Sequence, residues 1–166
     1  MRHCLRRVEM DFNKIMIINL FQIIRKFYWF ILRPQTTGVR VILLDKKKQV
    51  LLVEHKYING WFLPGGGLKK NENPKKGLAR ELKEELNIKI QDDPELMGIY
   101  ENHYEYKKDT VYVFVVNLNE IEINIDGREI KRAKFFSLDF LPKNVSPGTM
   151  RRIQEFVNIR NKENIW

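Results

Sequence analysis

The chain has 166 residues and 43% hydrophobic content, which suits one packed domain and excludes a disordered chain. A single cysteine, Cys4, excludes an intramolecular disulfide framework, and His3, His55 and His103 lack zinc-ligand spacing. The net charge of +9 is uneven, with +5 of it in residues 1–34, so the lysines elsewhere read as solvated surface and a mild field for anionic substrates.

Residues 13–32, NKIMIINLFQIIRKFYWFIL, predict an amphipathic helix with Asn19, Gln22 and Lys26 as a narrow polar stripe. Three roles are open for it. It packs on the following domain or on a dimer partner, it lies in a membrane interface anchored by Tyr28, Trp29 and its basic residues, or it spans a bilayer. Arg25 and Lys26 make it a poor span, and no small-residue site follows that would mark a cleaved signal peptide. Met10 and Met16 are alternative starts to Met1. Pro34 closes the segment, so residues 1–33 read as an extension and 34–166 as the main domain.

Thr36–Leu44 and Gln49–His55 predict two strands joined by a turn at Asp45–Lys48. Their nearly unbroken apolar runs imply burial on both faces. A short strand is expected at Trp61–Leu63, after a loop through Asn59-Gly60. Met97–Tyr104 and Thr110–Val116 form a further pair, with Lys107-Lys108-Asp109 between them. Glu129–Phe136 reads as a last strand, Pro142–Pro147 as loop, and Thr149–Ile159 as a closing helix with Met150, Ile153, Phe156 and Val157 on its apolar side. Strands and helices alternate irregularly, which predicts an α/β fold with a mixed sheet between helices.

The segment Gly66–Ile88, GGLKKNENPKKGLARELKEELNI, carries the chemistry. On a helix, Glu81, Glu84 and Glu85 fall within ~100° of one face. Leu78, Leu82 and Leu86 form an adjoining stripe, which sets the acids at the margin of a core. Carboxylates clustered on one face, rather than alternating there with lysines, suit a hard divalent cation with oxygen ligands. Pro74 fits the first helical turn, and Asn87 can end the helix in a left-handed conformation.

This segment resembles the Nudix box, G-x5-E-x7-R-E-U-x-E-E-x-G-U with U apolar. It matches from Gly66 through Glu72, Arg80, Glu81, Leu82, Glu84 and Glu85 to Ile88, with Asn87 in place of the family glycine. The resemblance implies a Nudix-like α/β/α sandwich preceded by the N-terminal helix. It also implies Mg²⁺- or Mn²⁺-dependent hydrolysis of a diphosphate linkage in a nucleoside diphosphate joined to another group. Glu81, Glu84 and Glu85, with the Gly66 carbonyl, would hold the metal. Glu81 and Glu84 would be catalytic, Arg80 would orient the acids, and Glu72 would contact metal or shape the loop. Gly65, Gly66 and Gly67 would let backbone approach the phosphates, and Trp61 would stack on a base. Glu101, Glu105 and Glu120 are the candidates for a general base on a separate loop.

Substrate is less determined. No proline stands about 16 residues after the box, which speaks against an ADP-ribose type, while Tyr104 at that point resembles dinucleoside polyphosphate hydrolases. RNA ends are a less favoured substrate, suggested by the basic charge. The alternatives to an enzyme are a non-catalytic nucleotide sensor on the same fold and a membrane-associated module. The expected setting is the cytoplasm, with peripheral contact at the inner face of a membrane through residues 13–32.

Overall fold

The structure is a computed structural model and describes residues 35–90, 93–104, 107–118, 123–125, 127–158 and 165–166. The helix expected over 13–32 lies outside the described residues. Thr36–Asn102 and Asp109–Trp166 form one compact unit, which contains the cores and the site discussed below. In chain order the elements are β1 (Gln35–Leu44), β2 (Val50–His55), α1 (Pro74–Leu86), β3 (Glu95–Tyr104), β4 (Lys107–Asn117), β5 (Ile130–Phe136) and α2 (Pro147–Phe156). The sheet order is β3-β4-β1-β2-β5.

The apolar run of β1 fits its central place. Val39, Val41 and Leu43 point to one face and pack with Leu78, Leu82 and Leu86 of α1. Ile42 and Leu44 point to the other face and pack with Ile153 of α2. Period-2 alternation of side chains thus feeds two cores from one strand, giving the expected layers of helix, sheet and helix. Burying each leucine of α1 contributes about 2 kcal/mol.

The sheet is mixed. β2 runs antiparallel to both β1 and β5. Between β1 and β4, Thr36 Oγ1 donates to Asp109 near the strand starts, and Leu118 N donates to Leu44 O at their ends, so these two run in the same direction. The β2–β5 register shifts between Glu54 and His55. Such bulges re-aim side chains, and this one lies at the end of β2 that borders the site.

Several expected boundaries differ; β3 starts at Glu95 and α2 ends at Phe156. Lys107–Asp109 belong to β4 rather than to a turn. Trp61 and Phe62 make single bridges to Val145 and Val53 instead of a strand. Leu63 N bonds Thr149 Oγ1, and Pro64 has no N–H, so no ladder can continue. The last helix starts at Pro147, because Ser146 caps it by accepting from Thr149 N at 3.3 Å. Among the described residues, no helix is long and apolar enough to cross a membrane.

Both ends of α1 are set locally. Asn73 accepts from Lys75 N and Lys76 N at 3.0 and 3.4 Å, and Pro74 follows at the first turn. Asn87 stops the helix at φ 56°, ψ 24°, and its N–H reaches Lys83 O at 3.1 Å. This is the left-handed ending expected of an asparagine in place of glycine. Asn87→Gly should therefore leave thermal stability nearly unchanged, whereas the β-branched Asn87→Val should lower it by ~1–2 kcal/mol, about 2–8 °C in Tm by calorimetry.

Candidate active site

The glycine loop lies along β1. Val39 N donates to Gly66 O at 2.9 Å, and Leu68 N donates to Thr37 O at 2.8 Å. Two of the glycines are required by space. Gly65 has φ +126°, and a Cβ there would sit 2.3 Å from Val39 O. A Cβ on Gly66 would sit 2.3 Å from Glu81 Oε2, so the carboxylate occupies the space that a side chain would fill. The Gly66 carbonyl, expected to face a metal, spends one lone pair on β1 and keeps one.

Arg80 ties the loop to the helix. Its Nε and Nη2 grip Glu72 at 2.8 Å each, Nη1 reaches Glu81 at 2.7 Å and Glu84 at 3.2 Å, and Nη2 also donates to Gly67 O at 3.0 Å. These bonds use all the donors of a guanidinium, so Arg80 has none left for a substrate. It is a positioning residue. The Arg80 fork, followed by the Lys69 N–H at 2.8 Å, holds the Glu72 carboxyl down to about 2. Glu72 thus shapes the loop.

Glu85 is in the opposite situation. Only 6% of it is exposed, and its hydrogen bond comes from Gly65 N at 3.2 Å. Burial pushes its pKa up to about 7, with Glu81 and Glu129 adding to the rise while the Gly65 N–H and the Arg40 charge oppose it. Arg40, from β1, is itself shifted down by burial and held up by Glu85 and Glu81. Burial, then the Arg40 charge, also lowers His55.

These groups line one cleft of about 700 Å³. Gly65–Gly67, Glu81, Glu84 and Glu85 form one part of its wall, and Arg40, His55, Tyr57, Ile58, Arg128 and Glu129 complete it. The box residues expected at the site are therefore brought together. Trp61 is not among them. It is buried against Phe136 in the core on the α2 side, ring centroids 4.9 Å apart, with the Arg132 guanidinium over it. Glu101 is also absent from the cleft; its carbonyl accepts from Trp166 N. Glu105 and Glu120 lie outside the described residues. Glu129, just before β5, is a carboxylate outside the box that lines the cleft. Arg40 sits in a hydrophobic run, GVRVILL, and a lone charge there was the overlooked signal.

Among the described residues, no three acidic, histidine or cysteine groups converge closely enough to hold a metal as they stand. Arg80 draws Glu81 and Glu84 toward itself, and Glu85 turns to Gly65. The donor set nevertheless suits a divalent cation: hard carboxylate oxygens share a cleft, and one is buried with only partial charge compensation.

A family model described as NUDIX domain matches residues 34–156, and the chain belongs to the Nudix hydrolase family, whose members generally use divalent metal ions. A Bacillus subtilis (strain 168) protein named "Putative 8-oxo-dGTP diphosphatase" is 29% identical over 123 residues, 74% of this chain and 80% of that protein. Diphosphoinositol polyphosphate phosphohydrolase 2 of Rattus norvegicus is 37% identical over 78 residues, only 46% of this chain and 42% of the relative. The crystal structure of the MutT protein from Methanosarcina mazei Go1 shares the fold, with TM-score 0.65 and 24% identity over 79% of this chain and 98% of that one.

The raised Glu85 pKa has a measurable sign. Unfolded, the carboxyl ionises near 4.5; folded, near 7. The native state therefore holds the extra proton between these values, and stability falls as pH rises through that window. In metal-free buffer Glu85→Gln should match the unsubstituted chain near pH 4 and exceed it by several degrees in Tm at pH 8. Equal melting curves at both pH values would contradict the assignment.

Proposed function

We propose that the chain is a Mg²⁺-dependent pyrophosphohydrolase that cleaves the diphosphate linkage of a small nucleoside diphosphate derivative. The observation that carries this reading is the shared cleft: acids held by Arg80 line it together with Arg40, Arg128 and the glycine loop. The names of the two relatives, a diphosphatase and a phosphohydrolase, support the reaction class.

Glu81, Glu84 and Glu85, with the second lone pair of Gly66 O, would hold the cation, and Mn²⁺ suits the same oxygen donors. Bound there, the metal supplies positive charge to the diphosphate and acidifies the attacking water. The chain does the rest. Gly65–Gly67 let phosphate oxygens approach backbone without side-chain obstruction. Arg40 and Arg128 offer guanidinium groups to the phosphate oxygens. Arg80 keeps Glu81 and Glu84 oriented. Glu129 lies within the cleft on a separate element and takes the proton from water.

Chelation should abolish nucleoside monophosphate release, and Mg²⁺ or Mn²⁺ should restore it. Glu84→Gln should reduce turnover at least ~100-fold with the fold retained by circular dichroism. Unchanged turnover would sink the proposal. Between the carboxylates offered as bases, Glu129→Gln should remove the acid limb of the pH–rate profile, while Glu101→Gln should leave the profile intact. The reverse result would move the base to β3.

A further inference from the structure

The wall of the cleft is chemically divided. One set of lining residues is charged: the box acids, Arg40 and Arg128. Tyr57 and Ile58 contribute a different surface: they are 66% and 56% exposed, adjacent in sequence, and both line this cleft. Among the described residues, the other exposed large hydrophobics, Leu96, Ile99, Phe140 and Ile165, line no part of it.

The loop that presents this pair is anchored. Before it, Lys56 N donates to Glu129 O at 3.0 Å, and the Lys56 ammonium bonds Gly127 O. After it, Trp61 N donates to Asn144 O at 3.0 Å. Gly60 makes the intervening turn at φ +118°, where a Cβ would sit 2.9 Å from Asn144 O. A short loop held at both ends keeps an aromatic ring beside the phosphate-binding groups at little ordering cost on binding.

We infer that Tyr57, with Ile58 next to it in the chain, is the residue on which the substrate's base stacks, so that the enzyme selects diphosphates bearing a flat aromatic group. The inference rests on the pyrophosphohydrolase reading above and names the substrate class for that cleft. A ligand with one anionic end and one flat apolar face matches the division of the wall. A polyphosphorylated ring alcohol does not, because it would set further phosphates against an apolar pair. The cleft volume lies within the usual range for a ligand of nucleotide size.

The test is calorimetric binding to the full chain in Mg²⁺. The two probes are methylenediphosphonate and α,β-methylene nucleoside diphosphates with purine and pyrimidine bases. The nucleoside analogues should bind more tightly than the diphosphonate. Tyr57→Ala should weaken the nucleoside analogues roughly tenfold, the size of a stacked base–aromatic contact, and leave the diphosphonate unchanged. Tyr57→Phe should retain the affinity, because stacking needs the ring and not the hydroxyl. Diphosphonate binding with no gain from a nucleoside, or a Tyr57→Ala loss that is absent or equal for both probes, would overturn the inference and leave the proposed reaction standing. Failure of the unsubstituted chain to bind either probe would overturn both.

Discussion

Everything at the cleft depends on the saturation of one guanidinium. Arg80 spends its donors on Glu72, Glu81, Glu84 and Gly67 O, and so joins the glycine loop, the segment before α1 and the first acids of the helix. A fixed fork can do this, and a flexible ammonium cannot. The leucine stripe supplies the rigid support, since Leu78, Leu82 and Leu86 hold α1 against the sheet. The loop is held from its other side by β1, through Gly66 O and Leu68 N. The acids are therefore placed by backbone and charge together.

The loop before α1 and the helix itself hold their acids in two unlike environments. Glu72 is gripped by Arg80 and a backbone N–H, which stabilise its ionised form. Glu85, thirteen positions later, is buried with one N–H donor and the more distant charge of Arg40, so its neutral form gains. Desolvation dominates at one and hydrogen bonding at the other.

Much of this was legible locally. The spacing of Glu81, Glu84 and Glu85 against the leucine stripe is a property of helical periodicity and needs no tertiary information. The Asn87 ending was also readable, because few residues other than glycine and asparagine accept that conformation readily. Trp61 misled because its nearness in sequence to the glycine loop suggested nearness in space, whereas the chain there sends the ring to the α2 side. Glu129 is not legible from sequence for the opposite reason. It is far from the box in sequence, and the sheet order sets β5 beside β2, with the loop before it at the cleft.

The sequence alone determined the acidic helix, its caps, the glycine loop and the two-faced central strand, all of which follow from rules acting over a few residues. Only the tertiary structure decided which distant groups share the cleft: Arg40 from β1, Tyr57 and Ile58 after β2, Arg128 and Glu129 before β5. The physical reason is range. Periodicity and capping are set by neighbours along the chain, but the company a carboxylate keeps depends on strand order, on the bulge at Glu54/His55 and on which face of the sheet each residue occupies.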